Sequence, residues 1–475
     1  MAWPNPFRRR DANTRTVYGY TFQLTEDHLT REQMAPMKHS YDLLGEQALE
    51  RLNILSPPPN SALPRNSPSR HSSTNGEKTA NSSGESFEPT RDLYQILRDN
   101  AEKDEVLAKF WAEVNTVPPW VDWEQIARGQ DVFYRYGGPN LTGLAFQSLL
   151  GGMGASRVVE TLARTGGFST KVAKHRLFET TQHILQCTLS LPSIQPGGAG
   201  FASSIRVRLL HAAVRHQIMK LASENPNYFP IQTLGIPIND LDSIATIGTF
   251  SATLIHLALP RQGIFLTQQE IADYTALWRY IAYLMGTPTE YFETSEKAKK
   301  IMEVLVLYEI KPTETSKVLA SNIIKSLARQ PPGFASEEFL CMNARWLNGN
   351  QLCDELGLAK PRWYYWGLAI GQCIFFMGLC YFYRSIPYFD RRNIAKLRKI
   401  IYRVIVESDT GLGSETSFDF KYIPDLSKRT VREDAVVDER KRVGVERRNA
   451  QTLGVAVLMC VGVGWGVWRI CMGLW

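Results

Sequence analysis

Residues 205–221, Ile-Arg-Val-Arg-Leu-Leu-His-Ala-Ala-Val-Arg-His-Gln-Ile-Met-Lys-Leu, place their apolar side chains at helical period. On a helix, Val207, Leu210, His211, Val214, Ile218 and Leu221 share one stripe, with Arg208 and Arg215 one turn to either side of His211. His211 is therefore expected to face the interior. An imidazole among apolar side chains is costly unless it is hydrogen-bonded, ligates a metal or binds a haem iron. Helix geometry alone favours the hydrogen-bonded core histidine, because lone histidines on apolar faces are usually structural.

The same period recurs on both sides of this stretch. Apolar helical patterns run over Leu93–Val114, Trp123–Tyr136, Leu141–Leu150, Ser156–Arg164, Lys171–Leu189, Asp240–Ala258, Thr267–Met285 and Ser295–Leu307, while period-two strands are scarce. The expected class is all-α. Gly137–Gly138, Gly151–Gly152, Gly166–Gly167 and Gly197–Gly198 punctuate the helices and follow no strand, so they do not read as phosphate loops. Asn239 precedes one helix start, and Thr267 with Glu270 three residues on matches a capping box.

Length allows one large domain with appendages or two to three ordinary ones, and 44% hydrophobic residues with 11% aromatic ones supply a sizeable core. The formal charge of +7 is modest, and the cations form no strip interleaved with exposed aromatics, which argues against a nucleic-acid partner. Seven cysteines without a CxxC pair read as reduced apolar fillers. The first ten residues carry charge with no apolar stretch behind it, so no secretory signal is expected.

The resulting division is an N-terminal region over 1–55, with Gln33–Leu52 as one helix, a disordered Pro/Ser/Asn/Gly linker over 56–90, and a helical domain over 91–361. An apolar helix with a basic membrane-facing region follows over 362–403, then a polar connector over 404–451 and a membrane anchor over 452–475. Trp363–Tyr383 is uncharged and long enough to span hydrocarbon. Arg384, Arg391, Arg392, Lys396, Arg398, Lys399 and Arg403 follow it, so spanning would push the preceding domain across the bilayer without any signal. The expectation is that this helix packs on the domain or lies shallowly in the membrane face, while Thr452–Trp468 anchors the chain. Two true spans are the alternative. With no signal, the domain is expected to face the cytosol on an endoplasmic reticulum-like membrane.

Hydrolase chemistry finds little support. Gly-x-Ser-x-Gly and His-Glu-x-x-His are absent, and the pair His183 and Cys187, four apart on one helix, has no second ligand pair and reads as core packing. Polar groups instead concentrate on neighbouring helices: Glu160, Arg176 with Thr180 one turn on, and His211. A bundle brings these around one pocket. Each also has a local use, Glu160 pairing with Arg164, Arg176 solvated, and Thr180 bonding its own backbone. His216 reads as a solvated surface residue, and His256 as a core histidine or a haem neighbour. Trp111, Trp120 and Trp123 with Pro118-Pro119 read as a packing corner.

In order and spacing, Glu160, Arg176-x-x-x-Thr180, Arg208-Leu-Leu-His211-Ala-x-Val-Arg215, Pro237-x-Asn-Asp-Leu before Thr246, and Ala276-Leu-Trp278-Arg279-Tyr-x-Ala-Tyr-x-Met-Gly286 resemble the catalytic domain of the rubber oxygenase (latex clearing protein) and mycophenolate-pathway oxygenase family. The resemblance covers roughly Phe110 to Leu307, extends weakly to Arg384, and does not reach the linker or the tail. It implies an all-α domain with a globin-like core holding haem b, His211 as the proximal iron ligand, and Glu160 on the distal side as a base or as the group that positions substrate. It also implies that Arg176 and Thr180 line the haem, the arginine suited to a propionate or bound oxygen. In rubber oxygenases a lysine precedes the matching threonine, and Glu179 stands there here, so no distal-ligand role is carried over. The implied chemistry is dioxygen activation and cleavage of an isoprenoid double bond to carbonyl products, which suits a lipid-like substrate at a membrane. Haem monooxygenation or peroxide chemistry, and a non-catalytic helical membrane-associated protein, are the alternatives.

Overall fold

A computed structural model describes residues 10–58, 91–170, 172–418 and 444–473. The chain is overwhelmingly helical, as the periodicity predicts. The helices of eight or more residues are α1 (Leu43–Leu55), α2 (Leu93–Asn100), α3 (Glu105–Asn115), α4 (Trp123–Arg135), α5 (Ser156–Arg164), α6 (Ala173–Thr188), α7 (Ala199–Glu224) and α8 (Asp240–Phe250). They continue as α9 (Gln268–Leu284), α10 (Ser295–Tyr308), α11 (Glu314–Leu327), α12 (Glu337–Asn348), α13 (Trp363–Ser385), α14 (Pro387–Tyr402) and α15 (Val445–Gly473). Many start where a short polar side chain accepts from the first-turn N–H groups: Asp42, Asp92, Asp104, Asp122, Asn239, Thr294 and Ser336 each do so. Thr267 and Glu270 form the expected capping box.

Three expected helices are broken. Leu93–Val114 divides into α2 and α3 because Asp104 turns out of the helix to cap the second. Gln33–Leu52 divides because Pro36 tightens residues 35–38 into a 3₁₀ turn and Asp42 restarts the chain as α1. Asp240–Ala258 ends at Phe250 and resumes as a π-helical turn over Leu254–Ala258, with a 41° bend between α8 and the segment that follows. A hairpin was not anticipated: Thr14–Val17 and Tyr20–Gln23 pair antiparallel around Tyr18 and Gly19, whose φ values of 49° and 76° suit the twist of a two-residue turn.

The largest apolar core among the described residues gathers α1 to α4, α6 to α10 and the inner ends of α13 and α14. Met34, Ala48 and Leu52 are fully inside it, so residues 31–55 build the main core and do not stand apart from it. A second core joins α5, α11, α12 and the first turns of α13. Of the segment 56–90, only Ser56 to Pro58 lie among the described residues.

The uncharged helix α13 packs on the domain along one face, with Tyr365, Leu368, Ala369, Cys373, Phe376 and Cys380 buried. Its far end is tied down by polar contacts. Tyr381 donates to the Gly263 carbonyl, Arg384 donates to Tyr136 Oη and the Phe265 carbonyl, and Arg135 forks onto Asp390 at the start of α14 (2.7 Å). Packing of α15 against α13 is equally close. Gly371 touches the backbone of Asn449, while Gln372 joins Asn343 and Asn449 in a buried amide cluster.

Candidate active site between two antiparallel helices

Helices α6 and α7 are joined by the ten residues 189–198 and run antiparallel. At the end nearest the connection they almost touch. A Cβ added at Gly200 would lie 2.6 Å from the Gln186 carbonyl, so only glycine allows this approach. His183 Nδ1 meets Ser203 Oγ at 2.9 Å, and Cys187 Sγ lies 3.5 Å from Ser204 Oγ. These two residues are thus used within the core. Burial keeps the Cys187 thiol protonated, its pKa raised to about 12.

Continuing this antiparallel register away from the connection sets Thr180 across from Val207 and Arg176 across from His211. Here the helices separate. Arg176, Thr180, His183 and Cys187 lie on one stripe of α6 at i, i+4, i+7 and i+11, yet only the last two are buried. Thr180 is exposed on that inward stripe, and Val207 and His211 opposite keep part of their surface. Among the described residues the pair is thus less enclosed at this end than at Gly200.

The electrostatics agree with this placement. Burial pushes the His211 imidazole down to about 4, and the Arg215 and Arg176 guanidiniums push the same way. His183 is also held near 4, chiefly by burial, with the nearby His211 pushing the same way. His211 is therefore neutral at neutral pH, the form that ligates metals. Its ring makes no hydrogen bond to the described residues, unlike that of His183. A desolvated, neutral imidazole with no hydrogen-bond partner among the described residues fits an iron ligand, and fits a hydrogen-bonded core role poorly. Among the described residues, no group of three or more His, Cys, Asp or Glu side chains is placed to share one metal ion.

The remaining sequence-predicted residues have mixed placements. Arg176 comes to the site: its Nη1 reaches Glu179 Oε2 at 3.3 Å, and the loop after α5 lies on it, a Cβ at Gly167 falling 3.1 Å from Nε. Thr180 lies on the same stripe with its hydroxyl bonded to the Arg176 carbonyl. Glu179 is buried and turned toward its own helix, near His175 and Arg176. Glu160 pairs with Arg164 at 2.6 Å on α5, and Arg164 also donates to the Tyr228 carbonyl beyond the end of α7. Thus the structure joins Arg176, Thr180 and His211, and brings only the end of the Glu160 helix to them. His256 sits in the π-helical turn with its Nε2 buried and unpaired.

Sequence reasoning missed what stands behind His211. Asp42 accepts from Arg208 Nε at 2.6 Å and Nη2 at 2.7 Å, and Glu113 adds a contact at 2.8 Å. Glu46 pairs with Arg215 at 3.0 Å and with His216 at 3.1 Å. The two buried arginines, one turn before and one turn after His211, are thus held by acids one turn apart on and before α1. Asp42 and Glu46 are four residues apart and Arg208 and Arg215 seven, so no common spacing in the sequence signals the pairing.

Residues 134–373 match the family model described as ER-bound oxygenase mpaB/B'/Rubber oxygenase, catalytic domain, a span that contains the whole α6–α7 pair. The chain belongs to this family. It is 23% identical over 173 residues to a rubber oxygenase of Streptomyces sp. (strain K30), which covers 36% of this chain and 41% of that relative. The chain therefore spans about two fifths of the length of the curated relative it matches. The solved structure of the latex clearing protein LCP in the closed state superposes with a TM-score of 0.48 at 19% identity, covering 63% of this chain and 79% of that one.

Proposed function

We propose that this family member is a membrane-associated, haem b-dependent oxygenase that cleaves a double bond in an apolar, isoprenoid or lipid-like substrate. The observation that carries the reading is the neutral, unpartnered His211 facing α6 from α7 in a chain of an oxygenase family. In this reading α6 and α7 belong to a globin-like core, and His211 holds the iron. Haem b, when bound, supplies the activation of dioxygen.

The protein's own groups do the rest. The permanent charge of Arg176 is suited to a haem propionate. Thr180, already bonded to the Arg176 carbonyl, presents its hydroxyl along the same stripe of α6. Glu160 is the candidate acceptor of the allylic proton on the strength of the family resemblance; it pairs with Arg164 at 2.6 Å and stands back from Arg176 and His211, so the role requires the substrate to extend to its helix. Val207 and Leu177, both partly exposed, contribute apolar surface that excludes water from the reacting carbon. The exposed apolar surface of α15 supports a membrane-associated position, which we assign to the cytosolic face of an endoplasmic reticulum-like membrane.

The test is the visible absorption spectrum of detergent-purified protein, expressed with haem supplied, beside its His211→Ala variant. A Soret band that is lost or shifted in the variant is the expected result, followed by oxygen-dependent formation of paired carbonyl products from isoprenoids. A colourless parent would overturn the proposal. A hydroxylated product with its carbon chain intact would replace cleavage by monooxygenation.

A further inference from the structure

Helix α13 keeps apolar surface that neither the domain nor α15 covers. Trp363 and Ile370, two turns apart, are exposed along one edge of its first half beside the α15 contact, and Phe382 is exposed near its last turn. Trp363 is 85% exposed and Phe382 56% exposed. Beyond the corner, Ile386, Tyr388 and Phe389 extend this surface, Phe389 stacking on Phe382 with ring centroids 6.1 Å apart and Tyr388 59% exposed. On α14, Arg391, Arg392, Lys396 and Lys399 occupy the same outward half as these aromatics. None of the four makes an ion pair among the described residues. The acid beside them, Asp390, is buried on the other side and committed to Arg135. Ile394 and Ile401 likewise point inward.

This is aromatic and aliphatic surface continuous with uncompensated cations, on an uncharged helix that is pinned to the domain at both ends. Such a helix cannot tilt into a bilayer without tearing Arg384 from Tyr136 and Arg135 from Asp390. It can lie along one. We propose that the uncovered apolar surface of α13 and the first turns of α14 form a docking face for an anionic lipid bilayer. Here α13 lies in the plane of the interface, Phe382, Tyr388 and Phe389 enter the headgroup–acyl boundary, and Arg391, Arg392, Lys396 and Lys399 meet lipid phosphates and carboxylates. The inference deepens the membrane-associated reading and is independent of the chemistry at His211. Charge complementarity selects the bilayer over a protein partner, because the four cations flank an apolar band as headgroups flank acyl chains.

The experiment uses the full chain in detergent micelles, in phosphatidylcholine vesicles, and in vesicles with phosphatidylserine added. Lysine acylation is read residue by residue by mass spectrometry. Labelling of Lys396 and Lys399 is expected to fall about fivefold or more with phosphatidylserine and to recover at high salt, while Lys297 and Lys317, on other helices, stay unchanged. A variant with R391Q, R392Q, K396Q and K399Q should lose about a hundredfold or more of the preference for anionic over zwitterionic vesicles. Its far-ultraviolet circular dichroism and its absorption spectrum should stay those of the parent, which separates loss of this face from loss of the fold or of the site. Labelling that is equal in all three settings would overturn the proposal. So would protection already complete in micelles, which would assign the face to another part of the chain or to a second copy.

Discussion

The pair of clamps behind His211 makes a quantitative prediction for Asp42→Asn. Asparagine caps helices about as well as aspartate, so the bond to the Gly45 N–H that starts α1 is kept and only the charge is removed. Arg208 is 3% exposed; it keeps Nη2 on the Oδ1 that also caps Gly45, but loses the 2.6 Å acceptor of its Nε and the opposing charge. Breaking a buried ion pair from one side costs about 3–5 kcal/mol, and the remaining contact to the more exposed Glu113 reduces this to about 2–3 kcal/mol. At about 1.4 kcal/mol per factor of ten, amide hydrogen exchange through local opening of α1 and of residues 205–215 should accelerate by about 30- to 150-fold. Glu113→Gln, which alters the exposed side of the same cluster, should cost below about 1 kcal/mol. Exchange in both segments within about threefold of the parent would refute the view that Asp42 holds the His211 helix in place.

Gly200→Ala forces a methyl against the Gln186 carbonyl, 2.6 Å away, and should pry α6 from α7; the check is a thermal shift larger than that of Gly152→Ala, where a Cβ meets nothing. His183, His211 and His256 all sit near 4 in the fold against an ordinary value of 6.5, so they stay neutral while the unfolded chain takes up protons below 6.5. Their stabilisation is complete above pH 6.5 and is lost toward pH 4, each at about 1.4 kcal/mol per pH unit. Asp242, raised to about 6 by burial, opposes this by protonating first in the folded state, so the net loss between pH 6 and 4 is about 2.7 kcal/mol per unit. Asp242→Asn should steepen it, and denaturant titrations at pH 7, 6 and 5 measure both slopes. Gly371→Ala places a methyl on the Asn449 backbone and should speed hydrogen exchange across residues 445–452 while leaving α6 and α7 unchanged.

Much of the fold was legible because its signals are local. Ser156–Arg164 and the Thr267 start of α9 follow from period and caps alone, and the fully apolar run of α13 predicts a helix wherever it packs. The breaks were less visible. Asp104 and Asp42 are ordinary polar residues until the chain bends at them, and the π-helical turn at Leu254–Ala258 carries no distinguishing composition. For the site, helical spacing anticipated the local contacts, Glu160 with Arg164 and Thr180 with the Arg176 carbonyl, because i+4 neighbours are set by the helix itself. The acids behind Arg208 and Arg215 lie about 166 to 170 residues away in sequence, a separation at which a single chain's pattern carries no pairing information.

The unequal enclosure of the α6–α7 pair follows from where the chain has small residues and where it has charged ones. Gly200, Ser203 and Ser204 let α6 and α7 close at one end, and Arg176 faces His211 at the other. Two cationic or potentially cationic groups cannot be packed face to face in an apolar core, so the helices must part there. That parting would collapse if α7 were free to roll toward α6. Arg208 and Arg215, buried on the α1 side and paired with Asp42 and Glu46, prevent the roll. The less enclosed end beside His211 is therefore maintained by contacts on the reverse face of its own helix, which makes the N-terminal residues 42–46 part of the site's construction although none of them lines it.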